Sequence, residues 1–372
     1  MLLDTYGPSP YLWAILAITA SILFLSVTVK RHQAKAALTV PMSTVPPPAP
    51  GHVSVSKILI HPIKSCRGIS VQSARYTPEG MENDRKWSII DADKAAIITA
   101  RDFSKMVLIT PQIEMDGSSP HNGFLRVSFP KGSGCESFSI PLQPTDSILQ
   151  SWRILRDVTI WPTHDKVDGY ICESLSSDTP PPSSILSKYF GKPVHLIYKG
   201  PRPRSINPTT SFPDLKATAF YQDMYPLLVL SEESTSLLEH ELRGYVGTQG
   251  IHERWKTDPV PIERFRPNII FRGGGAFSED QWEEISIGSE GAPPITLVSK
   301  CTRCLLPNVS PETGERDNAV PYKVLMKFRT GIDPTQKMKP CVGCNGVPAS
   351  DGLVKVGDWV YVKKMIGVDG CH

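Results

Sequence analysis

The stretch KCTRCLLPNVSPETGE, residues 300–315, contains one of two Cys-x-x-Cys pairs in the chain. This pair is Cys301 and Cys304, and the second pair is Cys341 and Cys344. Two such pairs are typical of a closed tetrahedral zinc site, in which four thiolates hold the metal. An arginine lies between Cys301 and Cys304, and a cation beside a thiol favours the thiolate form that ligates metals. The pair therefore also suits a single thiolate ligand on a soft transition metal such as molybdenum.

The rest of the composition excludes several other classes of protein. The chain has 372 residues and a net charge of only +3, from 40 basic and 37 acidic residues. A nucleic-acid binder would show a clear basic excess or stripe, so that class is excluded. The motifs of zinc proteases, phosphate loops and serine hydrolases are missing from the sequence, as is the plant-type iron–sulfur spacing.

The N-terminal region predicts a membrane anchor. Tyr11–Val29 is a run of 19 uncharged residues, about the length that spans a bilayer, and it follows a short tail at 1–10. Basic residues come directly after the run, so the positive-inside rule places the body in the cytosol. Residues 30–52 form a basic and then proline-rich linker, which is typical of a stiff spacer. We expect a single-pass protein of the mitochondrial outer membrane, with the endoplasmic reticulum as the alternative.

Patterns in the body predict mostly short strands with a few helices. Alternating apolar residues predict a hairpin around Asp91–Lys94. Pro182–Phe190 is predicted as a helix, because proline opens it and a glycine follows it. A closing hairpin is predicted from Leu353–Val356 and Trp359–Val362, which flank a Gly-Asp turn.

Eight stretches of the body carry a family resemblance, namely HPIKSCRG (61–68), NDRKWSIID (83–91), TARD (99–102), YPLLVLSEES (225–234), RFRPNIIF (264–271), SEDQWEEISIG (278–288), KCTRCLLPNVSPETGE (300–315) and LVKVGDWVYV (353–362). They occur in the same order as in the MOSC-domain proteins, and among these the chain resembles the mitochondrial amidoxime-reducing components.

The resemblance implies the fold and its division into domains. The expected class is α+β and mostly β, with one N-terminal transmembrane helix at 11–29. A MOSC N-terminal β-barrel-like domain is expected at 53–196, and a MOSC β-barrel domain is expected at 197–366. Residues 367–372 are then a tail.

The resemblance also implies a molybdenum–molybdopterin cofactor and the residues that hold it. Cys304 matches the cysteine that ligates the metal, and Asp223 matches a loop near the metal, where it is a candidate for proton delivery. One departure from the family occurs at PCVGCNG (340–346), where the family has an aromatic residue close to the cofactor; here Asn345 or Cys344 replaces that contact. The expected cofactor-binding residues are Lys64, Ser65, Arg85, Arg266, Asn268, Thr302, Arg303 and Asn345.

The resemblance implies an oxidoreductase that reduces small N-hydroxylated substrates, such as amidoximes and hydroxylamines, to the N–H compounds. The chain has no flavin, haem or iron–sulfur motif of its own, so the electrons are expected from cytochrome b5 and cytochrome b5 reductase. Two alternatives stay open at this point. One is a molybdenum-cofactor carrier or sulfuration-type MOSC protein, and the other is a membrane-tethered zinc-binding module that uses all four paired cysteines.

Overall fold

The computed structural model describes Ala49 and residues 51–162, 165–176 and 179–367. In these parts of the chain the structure is mainly β, as predicted. The first half contains the strands β1 (Val53–Ile60), β2 (Ile69–Val71), β3 (Ser73–Thr77), β4 (Gly80–Met81), β5 (Trp87–Asp91), β6 (Ala96–Ile97), β7 (Thr110–Met115), β8 (Gly123–Ser128), β9 (Phe138–Pro141), β10 (Ile154–Val158), β11 (Val167–Ile171) and β12 (Val194–Lys199). The second half contains β13 (Arg204–Ser205), β14 (Thr218–Ala219), β15 (Leu227–Ser231), β16 (Ile269–Arg272), β17 (Trp282–Ile287), β18 (Ile295–Thr302), β19 (Cys341–Pro348), β20 (Gly352–Lys355) and β21 (Trp359–Met365).

Short helices connect these strands. The α-helices are α1 (Asp146–Ser151), α2 (Pro182–Phe190), α3 (Glu232–Arg243) and α4 (Tyr322–Phe328). The 3₁₀ helices cover Ser104–Leu108, Glu253–Lys256, Ile262–Phe265, Ser278–Gln281 and Leu306–Asn308. Helix α2 has the predicted bounds: proline occupies its first turn, and Gly191 ends it in the left-handed conformation at a φ of 67°.

A closed barrel of seven strands forms the second half of the body. The strands follow the order β16-β15-β19-β18-β17-β21-β1, and β1 pairs back to β16 to close the ring. Its interior is filled by apolar side chains from alternate positions, among them Val229, Phe271 and Trp282. Strand β1 therefore belongs to this barrel, although it lies at the start of the segment predicted as the first domain.

The first half contains a five-stranded sheet, β10-β11-β12-β5-β6, and a three-stranded sheet, β7-β8-β9. The predicted hairpin around Asp91–Lys94 is confirmed by the antiparallel pair β5–β6. The buried residues Trp87, Ile89, Leu125 and Leu196 belong to one core that both sheets share. The core places the turn before β5 against the loop after β1, and these two segments reappear in the candidate site.

The prediction of a closing hairpin is wrong. Strand β20 pairs with β3, whereas β21 pairs with β17 and β1. The backbone of Gly357 and Asp358 exchanges hydrogen bonds with Val55 of β1, at 2.8 Å in each direction. The barrel therefore holds the turn in place. The strand before the turn, β20, pairs in the sheet β20-β3-β4, and the strand after it, β21, belongs to the barrel.

The prediction of a single-pass membrane protein of the mitochondrial outer membrane or endoplasmic reticulum is also corrected. None of the helices in the described ranges is long and apolar enough to cross a membrane. The predicted span Tyr11–Val29 lies outside the described residues.

Candidate functional site

One cleft gathers all ten residues that the sequence singled out. We call it the cysteine cleft, and it encloses about 790 Å³ when its open mouth is counted. Ligand-binding sites are commonly clefts in which a few polar groups converge among apolar side chains, and this cleft has that composition. The ten predicted residues that line it are Lys64, Ser65, Arg85, Asp223, Arg266, Asn268, Thr302, Arg303, Cys304 and Asn345.

Nine further residues line the cysteine cleft, and the sequence did not predict them as site residues. Several of them lie in stretches that carry the family resemblance, such as RFRPNIIF (264–271). Their closeness in sequence to predicted site residues was the signal that could have identified them. The additional lining residues are Gln222, Met224, Tyr225, Leu228, Arg264, Phe265, Cys301, Leu306 and Pro307.

The loop after β1 and the turn before β5 hold the basic side chains in place. The backbone amide of Arg85 donates to the carbonyl of His61 at 2.8 Å, and the amide of Lys64 donates to the carbonyl of Trp87 at 2.9 Å. Ser65 and Arg85 have positive φ angles of 67° and 49°. Such conformations cost a non-glycine residue about 1–3 kcal/mol, and they persist where the surrounding structure over-determines them, as it often does at functional sites.

Lys64 and Asp223 form an ion pair at the wall of the cysteine cleft, and Lys64 also donates to the carbonyl of Tyr221 at 2.7 Å. The side chain of Lys64 is 5% exposed, whereas that of Asp223 is 54% exposed. Burial lowers the pKa of Lys64 to about 8, although Asp223 acts in the opposite direction. Partial desolvation acts to raise the pKa of the half-exposed Asp223, but Lys64 outweighs this effect and holds that pKa below its ordinary value. The pair therefore carries its proton on the lysine at neutral pH.

The two arginines of the cleft are joined through the backbone. Arg85 donates to the carbonyl oxygen of Arg266 at 3.1 Å and to Asp84 Oδ2 at 2.6 Å. Arg266 donates through Nη1 to the carbonyl of Cys66 at 2.7 Å, while its buried Nη2 has no hydrogen-bond partner among the described residues. Burial, reinforced by the charge of Arg85, lowers the pKa of Arg266 to about 10. A bound anion would relieve both the orphaned donor and the repulsion.

Asn268 and Arg303 are occupied by protein partners. Asn268 Oδ1 accepts from the amide of Leu228 at 3.2 Å and from Arg85 at 3.3 Å. Arg303 donates to the carbonyl of Val342 through Nε at 2.9 Å and to the carbonyl of Phe265 through Nη1 at 2.9 Å. These two side chains fix the walls of the cleft and orient their neighbours.

The cysteines divide into two environments. Cys301 and Cys304 line the cysteine cleft and are partly exposed, and Cys304 Sγ accepts from the amide of Leu306 at 3.5 Å. Desolvation by its neighbours raises the pKa of Cys301 above its ordinary value. Cys341 and Cys344 are buried outside the cleft, and burial raises the pKa of Cys341 to about 11. Of the two residues expected to replace an aromatic contact, Asn345 lines the cleft and Cys344 does not.

The distribution of the cysteines bears on both kinds of metal site. Across the described residues, no three His, Cys, Asp or Glu side chains come together in an arrangement that could hold a metal ion. The four paired cysteines therefore do not form an assembled zinc site in this structure. The residues present fit a molybdenum-bound pterin instead, because such a group brings its own sulfur ligands and needs from the protein one thiolate and cations for its phosphate.

Comparison with known proteins agrees with this geometry. Residues 52–178 match the MOSC N-terminal beta barrel domain, and residues 216–361 match the MOSC domain. The chain is 29% identical to the mouse mitochondrial amidoxime-reducing component 1, over 83% of this chain and 82% of that protein. It is 27% identical to the human protein of the same name and 29% identical to the rat mitochondrial amidoxime reducing component 2, each over 83% of this chain and 82% of the relative. The two matched domains, the barrel and the order of the motifs together establish that the chain belongs to the MOSC-domain proteins.

Proposed function

We propose that the chain is a molybdenum-cofactor oxidoreductase that reduces N-hydroxylated compounds to the corresponding N–H compounds. The observation that carries the proposal is a pair of partly exposed cysteines, Cys301 and Cys304, in a cleft walled by Lys64, Arg85 and Arg266. Of the two, Cys304 matches the cysteine that ligates the metal in the family motif. The net change is R–NHOH + 2e⁻ + 2H⁺ → R–NH₂ + H₂O. When bound, the cofactor supplies the two-electron chemistry that removes the oxygen.

In this proposal each residue has a defined task. Cys304 ligates the metal, and Thr302, Arg303 and Asn345 line the pterin. Lys64, Arg85 and Arg266 neutralise the phosphate, for which arginine offers paired N–H donors. The hydroxyl of Ser65 donates a hydrogen bond to it, and Asn268 orients Arg85.

Proton delivery is assigned to the Lys64–Asp223 pair. The lowered pKa of Asp223 makes it a poor acid at neutral pH, so the ammonium of Lys64 is the donor of the pair. Asp223 then holds the ammonium in place and accepts a proton from solvent only after Lys64 has given one up.

An external protein must supply the electrons, because the sequence carries no flavin, haem or iron–sulfur motif. We propose cytochrome b5 together with cytochrome b5 reductase as the donor system. The second candidate function, a carrier of the molybdenum cofactor, uses the same cleft and differs only in lacking turnover.

The test compares two neighbouring cysteines of one cleft. The purified full-length chain is expected to hold about one molybdenum and one pterin, and to reduce an aromatic amidoxime when electron donors are added. Cys304→Ser should lose the metal and the activity, whereas Cys301→Ser should keep both. Equal loss in the two variants, or zinc in place of molybdenum, would contradict the proposal. Retained molybdenum without reduction of the amidoxime would favour the carrier.

A further inference from the structure

A second cleft lies behind the cysteine cleft, and Arg264, Arg266 and Leu306 belong to both. We call it the arginine cleft, and with its open mouth it also encloses about 790 Å³. It is formed by the loop after β1, the segment around the 3₁₀ helix Ile262–Phe265 and the segment that follows Leu306. Its charged and titratable lining residues are His61, Arg67, Glu263, Arg264, Arg266 and Glu312.

Three arginines reach this cleft from two segments, Arg67 from the loop after β1 and both Arg264 and Arg266 from the segment around the 3₁₀ helix. Each uses only part of its guanidinium for the fold. Arg67 donates through Nη2 to the carbonyl of Pro311, and Arg264 donates through Nη1 to the carbonyl of Pro307 at 3.0 Å. Arg67 Nε, Arg264 Nε and Arg266 Nη2 are buried without a hydrogen-bond partner in the described part of the chain. Buried donors are nearly always satisfied in folded proteins, so three orphaned N–H groups around one cleft point to a missing acceptor.

The charges around the cleft favour an anion. Glu263 is neutralised by Lys57, whose Nζ lies 2.9 Å from its Oε1. The three arginines then face one unpaired carboxylate, Glu312, which comes from an exposed turn. With Glu263 paired to Lys57, the cleft keeps an excess of positive charge.

His61 adds a neutral wall to the arginine cleft. Burial, followed by the charges of Arg266 and Arg85, lowers the pKa of His61 well below its ordinary value, so its ring carries no charge at neutral pH. The ring is held close to Gly68, where an added Cβ would lie 2.7 Å from His61 Nε2, so only glycine allows this approach. The imidazole therefore does not compete with the arginines for an anion.

We propose that the arginine cleft binds the phosphate group of a small molecule through Arg67, Arg264 and Arg266. A tetrahedral phosphate has enough oxygens to accept from three guanidiniums at once, whereas a carboxylate offers two oxygens in one plane. Val107, Leu306 and Val309 supply apolar surface for an organic group attached to the phosphate. The proposal does not rest on the proposed reductase function, but Arg266 lines both clefts and would be shared with the cofactor's phosphate. Arg67 lines only the arginine cleft and is therefore the donor that distinguishes the two sites.

The experiment is a calorimetric titration of the full-length chain at constant ionic strength. Inorganic phosphate, glycerol phosphate and acetate are titrated separately, and the two phosphates are expected to bind while acetate binds at least tenfold more weakly. Tighter binding of glycerol phosphate would identify a phosphomonoester as the ligand, and equal binding would identify free phosphate. Absence of phosphate binding would overturn the proposal.

Three variants locate the binding. Arg67→Gln removes a donor that lines only the arginine cleft, and it should weaken phosphate binding at least tenfold. Glu312→Gln removes the opposing charge from an exposed turn, and it should tighten binding severalfold, which a folding defect cannot imitate. Arg126→Gln removes an exposed arginine that lines neither cleft and should leave phosphate affinity unchanged. Unchanged affinity in both Arg67→Gln and Glu312→Gln would place the phosphate outside the arginine cleft and overturn the proposal.

Discussion

At the scale of single residues, Lys64 sets the pH dependence of the cysteine cleft. Burial lowers its pKa to about 8, so its ammonium charge is lost as the pH rises through that value. Reconstitution of the cofactor-free chain with the molybdenum cofactor should therefore decline above pH of about 8, as measured by the molybdenum retained per chain. Lys64→Arg keeps its charge throughout this range and should extend retention to higher pH. An unchanged alkaline limit in Lys64→Arg would assign the decline to another group.

The same lowered pKa has a defined effect on stability. The unfolded chain binds the proton of Lys64 more tightly than the folded chain does. Between pH of about 8 and the ordinary lysine value of about 10.4, this residue therefore makes the free energy of unfolding rise with pH.

Motifs allowed the membership of the cysteine cleft to be predicted, but they did not predict what each side chain does there. All ten expected residues lie in the cleft, yet Asn268 and Arg303 bond mainly to the protein itself. Those partners are carbonyls and amides of segments far away in the sequence, and residue type carries no signal for them. The arginine cleft was missed for a related reason: Arg67 follows a recognised motif residue, but its orphaned nitrogen exists only in the folded chain.

At the scale of elements, Arg204 of β13 holds the segment that carries Asp223. Its buried Nε donates to the carbonyl of Phe220 at 2.7 Å, and Nη2 donates to the carbonyl of Gln222 at 3.2 Å. Arg204→Met would leave both buried carbonyls without this donor, at a cost of about 1–3 kcal/mol for each. Urea denaturation should show this loss. Arg126→Met removes an exposed arginine whose partner Glu114 is 3.7 Å away, and it should cost less than about 1 kcal/mol. Similar losses in the two variants would contradict the role of Arg204.

Local signals determined which elements could be predicted. Helix α2 and the hairpin β5–β6 are specified by residues within or beside them, and both are confirmed. The closing hairpin failed because the turn at Gly357 and Asp358 bonds to β1, about 300 residues earlier in the sequence. Pairing over such a separation depends on the assembled barrel, so alternation of apolar residues predicts the strand but not its neighbour.

At the scale of the whole molecule, the two halves of the body are interlocked through exchanged strands. β1 closes the barrel of the second half, and β20 from the end of the chain pairs with β3 of the first half. The described residues up to Met365 accordingly form one compact unit. Removal of β1 would leave β16 and β21 as unpaired edges inside a barrel that has no other way to close. The domain boundary predicted between residues 196 and 197 therefore separates two segments of sequence whose strands pair with each other in the barrel and in the sheet of β3 and β20.

This interlocking predicts that the described body unfolds in one cooperative transition. Leu196→Ala opens a cavity in the core of the first half, and Leu297→Ala opens one in the barrel; each should cost about 2–5 kcal/mol. Calorimetry of the full-length chain should show a single peak that both substitutions move to lower temperature. Two separate domains would instead give two peaks, with each substitution moving only its own, because independent cores do not share their unfolding free energy. A single peak that moves in both variants means that the cysteine cleft, whose walls come from both halves, is lost only when the whole body unfolds.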